Sequence, residues 1–303
     1  MNSAQNPFDM QGHWYRGNTH AHSTASDGAE SLDDRFRRYR DEGYDFLVMT
    51  DHGVVSDVSG FSDDDFLAVS GVELHPPNPF GGDLYHIVAV NITESIPFED
   101  KHPQEVLDAV ADRGGASIIA HPSWSGFTLD DFRQLTGYCA LEVYNQTCWL
   151  QNGKGQSENT WDEHLDRLGP VWGIATDDAH HLDADTCKAW IKLRARSLTP
   201  PDVVEALRAG AFFSTQGPEF FDIRIETHAG LPTVLVRSSA VRSIVFKGRA
   251  RWGAHITGQN RELIESARYQ CHGKEKYLRI ELTDSAGRKA WSNPFFLPPA
   301  DRE

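Results

Sequence analysis

Histidines and carboxylates recur at the ends of short apolar runs in the first two thirds of this 303-residue chain. His20 and His22 follow the first run, His52 follows the second, and Glu73 follows the third. The same part of the chain also carries Asp27, His86, His121, Asp178 and His180 in or just after such runs. Imidazole nitrogens and carboxylate oxygens suit Zn, Mn and Fe ions. The pattern therefore predicts a divalent metal centre.

Each of these motifs has an ordinary explanation when it is taken alone. An H-x-H pair is often a chance surface feature. T-D-H at 50–52 also fits a turn whose aspartate bonds its own backbone, and A-H-P at 120–122 fits a strand stopped by proline. Their recurrence at successive strand ends favours the metal centre, because the ordinary explanation would have to hold independently at every one.

The elements that must position these side chains alternate between strand and helix. Apolar runs at 46–50, 66–72, 85–90, 116–120, 141–144 and 171–175 predict buried strands of an α/β sheet. Capping residues predict helices between them at Ser31 to Gly43, 103–113, from Thr128, and Thr199 to Gly210. In barrel-like α/β folds the strand C-termini converge on one face, so distant residues meet there.

The pattern changes after Gly217 and Pro218. From Phe220 to Leu297 apolar and polar residues alternate, which predicts a small antiparallel β module of sandwich type. We therefore expect two domains, a metal-binding α/β domain at 1–217 and a β module at 218–303. A binding or dimerisation role for the module and simple packing against the first domain both stay open.

Composition limits the classes of partner. The net charge of −15 opposes binding to nucleic acid polymers and to anionic membranes. No apolar run approaches the roughly 20 residues that span a bilayer, and residues 1–12 are polar, so we expect a cytoplasmic protein. The four cysteines form no C-x-x-C pair, which argues against a thiolate zinc knuckle and for reduced, buried thiols.

The order of the motifs resembles the PHP (polymerase and histidinol phosphatase) family of metal-dependent phosphoesterases. The matching blocks are N-T-H-A-H-S-T-A-S-D-G at 18–28, T-D-H-G at 50–53, G-V-E-L at 71–74, A-H-P at 120–122 and D-D-A-H at 177–180. The resemblance covers residues 14–215 and implies a distorted (β/α)7 barrel. E-V-Y-N at 142–145, F-F-S-T-Q-G-P at 212–218 and A-W-S-N-P at 290–294 look like the CehA/McbA-like branch, which contains carbaryl-type hydrolases.

The resemblance implies two or three divalent ions, Mn, Zn or Fe, and a ligand set for each. The first ion would take His20, His22, Glu73 and Asp178, the second Glu73, His86 and His121, and the third Asp27, His52 and His180. The loop between Glu73 and His86 varies in length in such families, so His75 competes with His86.

The predicted metal centre suggests a mechanism and a set of residues that assist it. A metal-bridging water that loses its proton becomes the nucleophile. His181 is next to His180 and is not needed as a ligand, so it would protonate the leaving group. A metal-bound water is the alternative proton donor. Asp51 and Asp177 are interpreted as partners that orient the imidazoles, although a helix or turn cap fits Asp177 nearly as well. The candidates for substrate binding are Trp124, Tyr144, Asn145 and Trp149, which would otherwise pack.

The function predicted from these features is hydrolysis of a phosphate ester in a small, anionic substrate. Hydrolysis of a carboxylic or carbamate ester at the same centre is the alternative, since a metal-bound nucleophile also attacks a carbonyl. A non-catalytic metal-binding module is the third hypothesis. The chain has no G-x-x-x-x-G-K-[ST] or G-x-S-x-G element, which disfavours a P-loop nucleotide site and a serine hydrolase. The natural substrate and the oligomeric state stay open.

Overall fold

A computed structural model describes residues 6–228 and 230–297 of the chain. The α/β part contains β1 (His13–Asn18), α1 (Leu32–Asp41), β2 (Phe46–Met49), β3 (Leu67–Leu74), β4 (Ile87–Val90), α2 (Pro103–Asp112), β5 (Ala116–Ile119), α3 (Pro122–Ser125), α4 (Leu129–Phe132), β6 (Tyr138–Asn145), α5 (Gln146–Asn152), α6 (Glu158–Arg167), β7 (Trp172–Thr176), β8 (Trp190–Ala195), α7 (Pro200–Ala209) and β9 (Phe212–Thr215).

The C-terminal part is built from strands. They are β10 (Phe220–His228), β11 (Leu231–Val241), β12 (Ser243–Gly248), β13 (Gly253–Thr257), β14 (Ile264–Gln270), β15 (Tyr277–Thr283), β16 (Lys289–Ser292) and β17 (Phe295–Phe296), with a short 3-10 helix at Gln259–Arg261. Each apolar run that predicted a strand lies on one of β2 to β7, and each capped segment contains a helix. None of the described helices is long and apolar enough to cross a bilayer.

The sheet of the α/β part explains why one edge collects polar residues. Strands β1, β2 and β3 are parallel, and so are β5, β6 and β7. Strand β4 lies between these two groups and is antiparallel to both β3 and β5. The C-terminal ends of the six parallel strands and the N-terminal end of β4 therefore lie at the same edge.

The closed barrel that the resemblance implies is not formed by backbone pairing within the described residues. The strand order runs from β9 through β8, β1, β2, β3, β4, β5 and β6 to β7, and no ladder joins β7 to β8 or β9. A side chain bridges the gap instead. The backbone N–H of Ala175 donates to Ser214 Oγ (2.9 Å), and the Ser214 hydroxyl donates to the carbonyl of Gly173 (2.9 Å). The observed fold is thus mixed α/β, with one large sheet that contains two groups of parallel strands.

Strand pairing continues from the α/β part into the C-terminal strands. Strand β16 pairs antiparallel with β9, and β15 then pairs with β16 and β12. Strands β10, β11 and β14 form a separate three-stranded sheet. Buried residues of both sheets and Phe213 of β9 share one apolar cluster. The domain boundary at 217 and 218 stays a prediction, and the main sheet crosses it without a break.

Candidate metal centre

The nine predicted metal ligands meet at the polar edge of the sheet. His20, His52, His121 and Asp178 follow β1, β2, β5 and β7 by two or three residues. Glu73 lies near the end of β3, and His86 directly precedes β4. His86 reaches this edge because β4 runs opposite to its neighbours. We call the set the strand-end cluster: His20, His22, Asp27, His52, Glu73, His86, His121, Asp178 and His180.

Four of these side chains form the first predicted ligand set. His20 Nε2 lies 3.3 Å from Glu73 Oε2 and 3.2 Å from Asp178 Oδ1. His22 Nε2 lies 3.5 Å and 3.0 Å from the same two oxygens. Ligands about 2.0–2.2 Å from a shared ion stand at about these separations. All four side chains are buried, so the set is shielded from bulk water.

Glu73 connects the first ligand set to the second. Its Oε2 faces His20 and His22, whereas its Oε1 lies 2.8 Å from His86 Nδ1 and 3.6 Å from His121 Nε2. One carboxylate therefore presents a different oxygen to each set. This is the arrangement expected of a carboxylate that bridges two cations.

The third predicted set is more exposed. Asp27 Oδ1 lies 3.3 Å from both His52 Nε2 and His180 Nε2, and 3.9 Å from His22 Nδ1. The Asp27 side chain is 57% exposed, so this set stands at the open side of the cluster. His22 contributes one ring nitrogen to the first set and turns the other towards the third.

His75, the predicted competitor of His86, also lies beside the cluster. Its Nε2 is 3.0 Å from His52 Nδ1 and 3.6 Å from Glu73 Oε2. The His75 and His86 rings contact each other, with centroids 4.4 Å apart. The structure therefore brings both histidines to Glu73 rather than choosing between them.

Three cluster histidines have one ring nitrogen occupied by the protein. His20 Nδ1 bonds Glu142 Oε1 (2.7 Å), His180 Nδ1 donates to the carbonyl of Asp178 (2.8 Å), and His121 Nδ1 bonds Ser125 Oγ (3.2 Å). Such bonds fix ring orientation and leave the Nε2 lone pair for a metal. Glu142 was missed as a site residue in the sequence. Its signal was a carboxylate inside the otherwise apolar run Leu141–Tyr144.

The cluster fits divalent cations because it contains buried ring nitrogens that have no hydrogen-bond partner within the described residues. Within the described residues, His20 Nε2 and His22 Nδ1 are inaccessible to solvent and make no hydrogen bond, and the equally buried Glu73 Oε2 faces imidazole nitrogens, the nearest being His52 Nδ1 (2.8 Å). An unsatisfied buried polar group costs about 1–3 kcal/mol. Cations bound at the first and third sets would satisfy the two nitrogens, and the nitrogen and oxygen ligand atoms suit Zn, Mn or Fe.

The electrostatic field of the cluster favours cations. Burial opposes a charge on His20, yet Asp178, Glu73 and Glu142 outweigh it and raise the pKa of His20 well above its usual value. Burial also opposes ionisation of Glu73 and Asp178, but the surrounding histidines hold the pKa of each carboxyl well below its usual range. Burial lowers the pKa of His22 to about 4. Charged carboxylates and a neutral imidazole are the states in which these groups bind metals.

Two cluster residues occupy backbone conformations that side chains other than glycine rarely adopt. His121 has φ 27° and Asp178 has φ 54°. Residues in such conformations persist only where their surroundings fix them, and they concentrate at functional sites. Both follow directly on parallel strands, where the strained turn aims the side chain back over the sheet edge.

The interpretation of Asp51 and Asp177 as partners of the imidazoles is corrected by the structure. Asp51 accepts hydrogen bonds from the Ser23 backbone and from hydroxyls that include Ser56 (2.7 Å). Asp177 accepts from the Tyr39 hydroxyl (2.7 Å) and from three consecutive backbone N–H groups at 187–189. Both carboxylates hold the loops that follow the strands, and within the described residues neither forms a hydrogen bond with a cluster histidine. The turn-cap alternative therefore describes Asp177.

A cavity of about 510 Å³ opens onto the cluster. His181, the predicted proton donor, and Trp124, a predicted substrate-binding residue, line it together with Thr147, Leu150 and Gln151. None of the described residues that line it is a lysine or an arginine. Its wall outside the cluster is therefore uncharged and partly apolar.

The other three predicted substrate residues do not line this cavity. Tyr144 is buried and stacks on Trp291 (ring centroids 5.9 Å apart), which is a packing role. Asn145 is buried and donates to Glu142 Oε2 (2.8 Å) and Asp178 Oδ2 (3.0 Å), so it supports the ligands. Trp149 is partly exposed on α5, outside the cavity lining. Position just past a strand end did not distinguish these roles.

Comparison with known proteins gives matches among solved structures. No family model and no curated protein matches the chain. The chain is similar to a two-domain protein from Bacteroides vulgatus that contains a predicted PHP-like metal-dependent phosphoesterase, with 15% identity, a TM-score of 0.55, and coverage of 98% of this chain and 99% of that one. At this identity the likeness establishes a shared fold, and it extends through the C-terminal strands.

Two further structures match smaller parts of the chain. An amidohydrolase from Chromobacterium violaceum, with bound sulfate and no metal, has 15% identity and a TM-score of 0.42 over 56% of this chain and 89% of its own. A protein from Bifidobacterium adolescentis described as a metal-dependent phosphoesterase has 15% identity and a TM-score of 0.45 over 64% of this chain and 96% of its own. Placement in the CehA/McbA-like branch stays a prediction.

Proposed function

We propose that this protein is a metal-dependent hydrolase that cleaves phosphate esters of small molecules. The observation that carries the proposal is the Glu73 carboxylate, whose two oxygens face two separate sets of histidine nitrogens in a buried site. Two cations held this way would activate water and polarise the phosphoryl oxygens. The description of the Bacteroides vulgatus protein as PHP-like supports the choice of phosphate esters.

The side chains around the cavity would divide the remaining tasks. The uncharged wall that includes Trp124 and Leu150 would bind the part of the substrate that does not react. His181 lines the cavity and belongs to none of the three ligand sets, so it is the side chain available to protonate the leaving group. Without a lysine or arginine in the wall, the substrate's negative charge would depend on the metal centre.

Hydrolysis of a carboxylic or carbamate ester is the second candidate, and the same cavity supports it. An uncharged wall with Trp124 and Leu150 suits a neutral ester better than it suits a phosphate dianion. The two candidates use the same ligands and differ in the charge of the substrate.

The test is a comparison of initial rates on matched aryl phosphates and aryl carboxylic or carbamate esters, with Mn- or Zn-loaded protein. Glu73→Gln should abolish turnover, because it removes the charge shared by two ligand sets. Glu163→Gln, at an exposed position on α6, is the matched control and should leave turnover unchanged. Turnover of carbonyl esters alone would overturn the phosphate assignment. Absence of turnover in a metal-loaded protein would favour a non-catalytic metal-binding module.

A further inference from the structure

A buried thiol stands in the wall of the same cavity. Cys148 lies in the first turn of α5, is 3% exposed, and lines the cavity beside His121 and Asp178. Its backbone N–H donates to Asn145 Oδ1 (2.9 Å), which fixes its position. No hydrogen bond of Cys148 Sγ occurs within the described residues. The sequence pattern gave this cysteine no role, because it has no C-x-x-C partner.

The thiol belongs to a group of three potential ligands. The Cys148 sulfur, a His121 ring nitrogen and an Asp178 carboxylate oxygen all lie within 4.8 Å of one another. All three residues are buried. Given metal–sulfur and metal–nitrogen bonds of about 2.3 and 2.0 Å, the three atoms are close enough to enclose one ion after a small contraction of the group.

A second observation points to a cation at this position. In the part of the chain that the structure describes, His20 Nε2 is buried without a hydrogen-bond partner, and it lies 3.2 Å from Asp178 Oδ1, the carboxylate of the three-residue group. This imidazole nitrogen and the Cys148 thiol, neither of them hydrogen-bonded among the described residues, therefore flank the same carboxylate. A cation beside Asp178 would satisfy both.

We propose that Cys148 is a metal ligand that acts with His121 and Asp178 and makes the centre prefer thiophilic ions such as Zn²⁺ or Cd²⁺ over Mn²⁺. The chemical reason is the softness of sulfur, which raises affinity for these ions and gives little to Mn²⁺. As the metal–sulfur bond forms, the S–H bond breaks and its proton passes to water. No electron is transferred.

The test is a titration of the metal-free full-length protein with Cd²⁺, followed by the ultraviolet sulfur-to-cadmium charge-transfer band. We expect the wild-type protein to form the band as cadmium fills the site beside Cys148, and the band to stop growing while cadmium fills the other sites. Cys148→Ser should lose it while still binding cadmium, as measured by elemental analysis. Cys271→Ser is the matched control, because Cys271 is also buried but lies in the apolar cluster of the C-terminal strands. This variant should keep the band.

Two results would overturn the proposal. One is a band of unchanged intensity in Cys148→Ser, and the other is a wild-type protein that binds cadmium without the band. If Cys148→Ser does not fold, cadmium NMR of the wild-type protein decides, because a thiolate ligand moves the resonance far from that of a site with only nitrogen and oxygen ligands. Neither readout depends on turnover. Each therefore tests Cys148 as a metal ligand independently of the proposed hydrolase activity.

Discussion

At the scale of single residues, the site depends on histidines whose two ring nitrogens face different partners. Glu142 accepts from His20 Nδ1 with one oxygen, and its other oxygen accepts from the His121 backbone N–H (2.9 Å) and from Asn145 Nδ2 (2.8 Å). One buried carboxylate thus orients a ligand of the first set and fixes the backbone of a ligand of the second.

Glu142→Gln should weaken metal binding roughly 10–100-fold, the range seen when a supporting partner of a metal ligand is lost. The substitution keeps the side-chain volume but replaces a charged acceptor with a neutral amide, so His20 is less firmly held and less basic. Competition with a chelator measures the change. Glu163→Gln should match the wild type, and an unchanged affinity in Glu142→Gln would refute the orienting role.

At the scale of elements, the site depends on how the loop after β1 folds against the loop after β7. The His22 N–H donates to the carbonyl of Ala179 (3.0 Å), and the Ala29 N–H donates to the carbonyl of His180 (2.7 Å). From α1, the buried Arg35 donates to the carbonyls of His22 (3.0 Å) and His181 (3.2 Å). These bonds place Asp27 opposite His180.

Gly28→Ala should disrupt the third ligand set. A Cβ at residue 28 would lie 2.5 Å from the carbonyl carbon and oxygen of His22, so the loop that carries Asp27 must move. We expect the weakest-bound metal equivalent to be lost or its affinity to fall roughly tenfold or more.

Elemental analysis after dialysis against graded chelator measures the effect of Gly28→Ala. Gly60→Ala is the control, because a Cβ there meets nothing within 4 Å. If Gly28→Ala retains the full metal content at every chelator concentration, the close approach does not control the third set.

At the scale of the whole molecule, one buried arginine joins the C-terminal strands to the α/β part. Arg279 on β15 forms ion pairs with Asp162 on α6 (2.6 Å) and with Glu281 (2.6 Å). Its guanidinium also lies over the Trp161 ring, 4.5 Å from the centroid. Lys289 on β16 adds a contact with Glu158 on α6 (2.7 Å). The two parts are therefore joined by charge as well as by the shared sheet.

Arg279→Met should lower the free energy of unfolding by about 3 kcal/mol, because it removes the buried cation from two carboxylates and leaves them only the contacts with the half-buried Lys247. Urea unfolding of the metal-free protein, followed by tryptophan fluorescence, measures the loss. Arg37→Met removes an arginine whose ion pair with Asp34 is exposed and screened by water, and it should leave the free energy of unfolding nearly unchanged. Equal effects of the two substitutions would contradict the structural role of Arg279.

The sequence by itself determined the alternation of strands and helices and the types of ligand. Apolar runs such as Phe46–Met49 and caps such as Ser31 act locally, so their signals are readable without tertiary contacts. Most side chains of the strand-end cluster could be predicted because they lie at or shortly after strand ends, and parallel strands bring their ends to one edge.

Only the tertiary structure decided which carboxylates and aromatic residues serve the site. Asp51 and Glu142 are both buried acids near a strand end, yet Asp51 holds a serine-rich loop and Glu142 holds His20 of the strand-end cluster. Cys148 and Trp124 face the cavity while Tyr144 faces the core. The direction of a side chain depends on packing between elements distant in sequence, and neither residue type nor spacing encodes that direction.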